Sequence, residues 1–285
     1  MAAGIGDDCA VLRSPVGHEL LVTTDFSLEG VHFRREWHPP ESVGHRCLTR
    51  GLSDVAAMGG EAMAVFLSLA LPADLPQKWV DSFYKGLFRL AERQGAALAG
   101  GDTAQSPSGV LADIMVIGSV PHGKAILRSG AKAGDRIYVT GKLGLGSTVR
   151  RLYAGERIRP VGAYFYPEPR LEVGQKLREL ASAMIDISDG LSTDLSHVCE
   201  ESRVGAVIYK SSIPVAPNAT LDDALHGGDD YELLFTSSKR VPRKIAGVPV
   251  TEIGEVVKLE GMWMQDERGK TKRLEPFGWQ HFSTR

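Results

Sequence analysis

Along the N-terminal part of the chain, the apolar positions fall into two alternating periods. Val43, Cys47, Leu48, Leu52, Val55 and Ala56 recur at helical spacing and predict a helix over 41–58, stopped by Gly59-Gly60. Trp79, Val80, Phe83, Leu87, Leu90 and Ala91 predict a second, amphipathic helix over 77–93. Between and around them lie a short strand over 19–24 ending at Asp25, a buried strand over 62–71, and a strand over 110–120 that follows Gly100-Gly101-Asp102. The polar, glycine-rich stretch from Gly123 to Asp135 predicts a boundary, so two domains are expected, 1–122 and 123–285. Beyond it the pattern predicts a strand over 136–140, helices over 168–181 and 193–202, and a strand over 206–209. Strands and helices intermix without a strict βαβ repeat, which predicts an α+β protein of two domains.

Composition narrows the classes of function. The 285 residues are 43% hydrophobic and 24% charged with a net charge of −2, so a sizeable core is expected and no basic excess is present to neutralise nucleic-acid phosphates. The longest apolar run, Ala62–Leu71, is too short to span a bilayer, and no signal peptide is expected from the first residues. Cys9, Cys47 and Cys199 are far apart and lack CxxC spacing, which points to a reducing cytoplasm and away from disulfides or zinc. Because the chain opens almost directly on Gly4-Ile5-Gly6-Asp7-Asp8, a shortened N-terminus is expected.

The unusual feature is the placement of aspartates. Asp7, Asp8, Asp25, Asp54, Asp102, Asp186, Asp189, Asp229 and Asp230 fall mostly in expected loops or at element ends, beside Gly, Ser or Thr. A single aspartate there commonly caps a helix or closes a turn. Clusters such as Asp186-Ile-Ser-Asp189-Gly and a twice-occurring Gly-Asp-Asp ask for more. Carboxylates gathered in one place repel unless cations balance them, and magnesium takes hard oxygen ligands while bridging phosphates. The pattern points to a multi-metal phosphate site. Two glycine-rich stretches are decoys. Gly118–Lys124 begins like a P-loop, but Ala125 stands where a metal-binding hydroxyl belongs; Gly141–Gly146 is not GxGxxG, and reads as a loop entering a helix near Ser147. Asp54, four residues after Arg50, fits either a surface ion pair or a ligand projecting from the helix end.

Taken in order, Gly4–Ala10, Thr23-Thr24-Asp25 with Gly30–Phe33, Leu52–Gly59, Gly100–Thr103, Arg128–Ala131, Ile185–Leu191, Gly227–Leu233 and Gly278–Phe282 resemble the thiamine-monophosphate kinases. These belong to the superfamily of aminoimidazole ribonucleotide synthetase and selenophosphate synthetase. The resemblance covers essentially the whole chain. It implies two α/β domains of the aminoimidazole ribonucleotide synthetase type, the N-terminal one pairing with its copy in a homodimer, and ATP and thiamine monophosphate bound in a cleft. Carried onto matching positions, it implies Asp8, Asp25, Asp54, Asp102, Asp186 and Asp189 as magnesium ligands with help from Thr23 or Thr24. It implies Gly101, Arg128 and Ser188 as ATP contacts, and His32, Asp229 and Trp279 as thiamine monophosphate contacts. The family normally has a further N-terminal stretch with a helix, and commonly Glu where Asp229 stands.

The implied acceptor is a phosphate, already anionic, so no general base and no catalytic side chain in that sense is expected; phosphoryl transfer depends on positioning and charge. Direct in-line transfer is expected over an aspartyl phosphate. The alternatives are a sibling ATP-dependent synthetase of the superfamily, or a non-catalytic nucleotide- or metal-binding protein.

Overall fold

The computed structural model describes residues 9–10, 12–157, 162–279 and 282. The chain divides into two compact units. One runs to Val55 and adds Gly60–Ala125 and Phe165–Leu171; the other takes Ala56–Gly59, Ile126–Tyr164 and the chain from Glu172.

The first unit is built on strands β1 (His18–Leu28), β2 (Glu61–Pro72), β3 (Ala97–Ser106) and β4 (Leu111–Pro121), with helices α1 (Pro40–Ala57) and α2 (Gln77–Gln94) between them. The sheet order is β1-β4-β2-β3, antiparallel except for the parallel β2–β3 pair. Alternation along β1 decides its two faces. Leu21, Thr23, Asp25 and Ser27 point one way and are buried or half-buried, whereas Leu20, Val22, Thr24 and Phe26 point the other way and are exposed. Leu48, Leu52, Phe83, Leu87, Leu90, Ile114 and Val116 are all fully buried in this unit. The two helices meet through glycines. A Cβ on Gly44 would lie 1.9 Å from the Phe83 carbonyl oxygen, and one on Gly86 would lie 1.8 Å from that of Glu41. Only backbone fits at these points.

The second unit holds β5 (Arg136–Thr140), α3 (Leu145–Tyr153), α4 (Leu171–Leu177), β6 (Ala183–Asp186), α5 (Leu191–Ser202), β7 (Gly205–Tyr209), α6 (Leu221–His226), β8 (Leu233–Ser237), β9 (Lys244–Ile245), β10 (Val248–Val257), β11 (Gly261–Gln265) and β12 (Thr271–Arg273). Its sheet runs β12-β11-β7-β10-β5-β8-β6, with β9 paired to β10. Ile137, Val139, Ile185, Leu191, Leu195, Ile208, Leu234 and Ile253 belong to one buried cluster.

Two expectations change. Gly100-Gly101-Asp102 lies inside β3 and not in a loop, because Gly101 lets the strands approach so closely that a Cβ there would meet the Leu67 carbonyl oxygen at 1.9 Å. The helix expected over 168–181 is shorter, Leu171–Leu177; its later start follows from Pro169, which biases Glu168 away from helical backbone. Among the described residues no helix is long and apolar enough to cross a membrane.

Candidate active site

In the first unit, strand alternation turns Thr23 and Asp25 toward one face of the sheet and sends Thr24, paired with Met115, to the other. Gly51 lets α1 lie close on that first face: its Cβ would meet Val116 Cγ2 at 2.6 Å and Thr23 Cγ2 at 3.6 Å. Asp54, one helical turn further, therefore reaches β1. The Thr23 hydroxyl donates to the Asp54 carboxylate, and Asp25 and Asp54 share a hydrogen bond. Burial, the Asp54 charge and that bond push the Asp25 carboxyl up to about 7, against the opposing pull of the Arg50 guanidinium. Two carboxylates and a hydroxyl held together, one of them reluctant to ionise, form a hard-oxygen donor set that a divalent cation would relieve. The chemistry of these donors fits magnesium.

Asp102 is placed differently. It pairs with Ser68, which pairs with Asp113, which pairs with Phe26, so Asp102 stands in a row next to the Asp25–Ile114–Leu67–Gly101 row and on the alternate face. Its carboxylate accepts from the Thr103 N–H at 2.8 Å. His32 lies in the turn after β1, where its Nδ1 accepts from the Leu28 N–H at 2.9 Å. Asp8 lies outside the described residues, as do Gln280 and His281 of the C-terminal motif.

In the second unit, three motifs distant in the chain converge. β6 pairs with β8 through Asp186 and Leu233, and the ladder continues past both strand ends. Ile187 N–H donates to Glu232 O at 2.7 Å, Tyr231 N–H to Ile187 O at 2.9 Å, and Asp229 N–H to Ser188 O at 2.7 Å. The third motif docks on the same loop: Trp279 N–H donates to Asp189 O at 2.9 Å, and Gly278 N–H to Thr193 Oγ1 at 3.0 Å. A Cβ on Gly278 would strike the Asp189 carbonyl oxygen at 2.3 Å, so glycine is needed for this approach. The expected loop before Ser147 joins them as well, since a Cβ on Gly146 would lie 2.3 Å from Gly228 O and 2.7 Å from Asp229 Cβ. Asp186, Ser188, Asp189, Asp229 and Trp279 thus share one neighbourhood. Arg128 is exposed on the segment before β5, its carbonyl accepting from Ser202 Oγ at 3.1 Å.

Sequence reasoning missed Asp194, His197 and Glu232 here, and named Asp230 without its partners. Asp194 is buried in the first turn of α5, where Oδ2 accepts from the N–H groups of Gly190 at 3.0 Å and Asp189 at 3.2 Å. Burial and the charges of Asp186 and Asp189 hold its carboxyl well above the usual range. Asp189, Asp194 and His197 each offer a ligand atom within 4.8 Å of the others. Asp230 accepts from Gly144 N–H at 2.7 Å and Gly146 N–H at 3.1 Å, and burial pushes its carboxyl up to about 7. Glu232, also buried, accepts from the Thr140 hydroxyl at 2.5 Å. An acidic residue in the first turn of a helix, as at Asp194, was a readable signal of N–H bonding at a helix start.

An α+β chain of two units, with carboxylates on the strands and first helix of one and at strand and helix ends of the other, has known counterparts. The model of the AIR synthase related protein N-terminal domain matches residues 6–120, and that of the C-terminal domain matches 132–263. The chain is 38% identical to thiamine-monophosphate kinase of Escherichia coli K12, with 99% of the chain and 92% of the relative covered. It superposes on a crystal structure of thiamine-monophosphate kinase from Stenotrophomonas maltophilia K279a with a TM-score of 0.83 at 34% identity, covering 92% of this chain and 90% of that one. A structure described as AaThiL complexed with AMPPCP and TMP gives a TM-score of 0.84 at 32% identity, covering 98% and 92%. The chain belongs to the AIR synthase related proteins and, among them, to the thiamine-monophosphate kinase family.

Proposed function

We propose that the chain transfers the γ-phosphoryl group of ATP to the phosphate of thiamine monophosphate, giving thiamine diphosphate. The observation that carries this is the Asp25–Asp54 pair, two carboxylates in hydrogen-bonding contact with Thr23 beside them, in a chain similar over nearly its full length to thiamine-monophosphate kinases. One such relative was solved with AMPPCP and TMP, which supports the choice of both substrates.

Magnesium is the proposed metal. Its proposed ligands are Asp25 and Asp54 with Thr23 in the first unit, and Asp186 and Asp189 in the second, with Asp8 as a further one; Asp102 and Thr24 lie on the opposite face of the sheet and do not join the Asp25–Asp54 pair. Bound there, the ion would supply positive charge against that of the phosphates. Gly101 and Ser188 are proposed to meet ATP through backbone and hydroxyl groups, and Arg128 to offer a guanidinium to its phosphates. His32, Asp229 and Trp279 are proposed to meet thiamine monophosphate: an indole face and a carboxylate both suit the thiazolium cation. The acceptor phosphate is anionic at neutral pH, so none of these side chains has to remove a proton for an in-line transfer. The unit bearing β1 is proposed to form the homodimer contact, through Leu20, Val22, Phe26 and Met115, which leave an apolar patch exposed. A cytoplasmic setting suits three cysteines that are all free.

Incubation with ATP, magnesium and a panel of phosphate and hydroxyl acceptors tests the reading. Thiamine diphosphate and ADP in equal amounts, with thiamine monophosphate alone accepting, are the expected products. Consumption of ATP with a different acceptor, or with none, would overturn it.

A further inference from the structure

We propose that Tyr231 is a positioning residue for thiamine monophosphate, its hydroxyl orienting the Asp229 carboxylate; this rests on the reading of Asp229 as a substrate contact. The backbone around Asp229 is unusual. Asp229 has φ +59° and Tyr231 φ +54°, two non-glycine residues in the left-handed region with a single residue between them. L-residues adopt that region at a cost, and persist in it where the surroundings over-determine them, often at functional sites.

The surroundings do so here. Asp229 and Tyr231 give their N–H groups to Ser188 O and Ile187 O at 2.7 and 2.9 Å. Asp230 between them is clamped to the N–H groups of Gly144 and Gly146. On a backbone held this way, the remaining freedom of Asp229 lies in its side chain, and Gly146 and Tyr231 both limit it. Gly146 approaches so closely that a Cβ on it would lie 2.7 Å from Asp229 Cβ. The Tyr231 hydroxyl donates to Asp229 Oδ1 at 2.7 Å. The Tyr231 residue is 1% exposed, so packing confines its ring, and the hydroxyl at its tip is carried to the half-buried Asp229. A turn that needs only to reverse the chain has no use for a buried phenol aimed at an aspartate two residues earlier. Holding a short carboxylate toward a cationic ligand does need one, because a donor from the protein removes rotamers that miss the ligand.

The test uses the full chain as wild type, Tyr231→Phe, Asp229→Asn and the double variant. kcat, KM for thiamine monophosphate, KM for ATP and the thermal midpoint are measured for each. Phenylalanine keeps the buried ring and deletes only the donor. Tyr231→Phe is expected to raise KM for thiamine monophosphate about three- to tenfold, as loss of one hydrogen bond does, with kcat, KM for ATP and the midpoint unchanged. In the Asp229→Asn background it should add little. If Asp229→Asn raises KM for thiamine monophosphate and Tyr231→Phe does not, the positioning role is wrong and the substrate contact stands. If Asp229→Asn leaves that KM unchanged, the contact is wrong and the positioning role falls with it. Equal rises in both KM values with a lowered midpoint would make the Tyr231 bond merely structural, which also overturns the proposal.

Discussion

At the scale of single residues, the most informative groups are carboxylates placed where they resist ionisation. Asp25 and Asp54 share a hydrogen bond beneath the sheet while Thr23 donates to Asp54. In Asp54→Asn the amide oxygen can still accept from Thr23, so the fold should hold while a negative ligand is lost. Turnover at saturating magnesium is expected to fall at least about a hundredfold, equivalent to ~3 kcal/mol of transition-state stabilisation. A steady-state kcat near that of wild type would remove Asp54 from the site. Asp230 yields a different prediction. Burial, with a smaller push from Glu232, lifts its folded pKa from 3.8 to about 7. Between those values the folded chain holds a proton that the unfolded chain has released. The contribution of Asp230 to stability is therefore fully present below pH 3.8 and lost as pH rises through about 7. Asp230→Asn removes that titration, so its deficit in thermal midpoint against wild type should be larger at pH 5 than at pH 8. Melting curves at the two values decide it; a deficit that grows with pH contradicts the assignment.

At the scale of elements, the first unit depends on helices brought into backbone contact. Gly44 on α1 faces the Phe83 carbonyl and Gly86 on α2 faces that of Glu41. Neither can take a methyl group unless the helices part, and parting them would loosen Phe83, Leu87 and Leu48, all fully buried. Gly86→Ala raises intrinsic helix propensity by about 1 kcal/mol, and in an unpacked helix it would stabilise. Here overpacking should win, with a net loss of about 1–3 kcal/mol measured by chemical denaturation. A more stable variant would show that the two helices have room to separate. Helices α1 and α2 were legible because long apolar stripes at helical spacing are a strong signal, and the strands β1, β2 and β4 because their apolar runs are bounded by turn residues. No strand is predicted over 97–106, where two adjacent glycines interrupt the apolar pattern. The membership of β3 depends on β2, against which those glycines lie, and no local pattern reports that. Strand β6 is only Ala183–Asp186, and its four residues are too few for any periodicity.

At the scale of the whole molecule, Leu20, Val22 and Phe26 are 49%, 62% and 55% exposed on the face of β1 turned away from Asp25, with Met115 beside them at 36%. The proposed homodimer buries this face. Light scattering at micromolar concentration should give about 62 kDa, twice the 30.8 kDa chain, as a closed two-fold assembly requires. Val22→Glu, set in the middle of the patch, should shift the mass toward 30.8 kDa without lowering secondary-structure content. A wild-type monomer would count against the pairing.

What the sequence determined by itself was chemical inventory and class: an α+β chain in two parts, acidic motifs suited to magnesium and phosphate, and a resemblance borne out by two family models and full-length relatives. Those properties are local or additive, carried by residue type and spacing along the chain. Only the tertiary structure decided which motifs meet. Asp189, Asp229 and Trp279 are dozens of residues apart, and they adjoin because β6 pairs with β8 in one register and Gly278 leaves space for the Asp189 carbonyl. Thr23 and not Thr24 joins Asp54 because strand alternation sends neighbours to opposite faces and α1 covers only one of them. Asp102 stands a row away from Asp25 for the same reason. Register and helix approach are long-range quantities set by packing, and a one-residue step in either changes which side chains share a face.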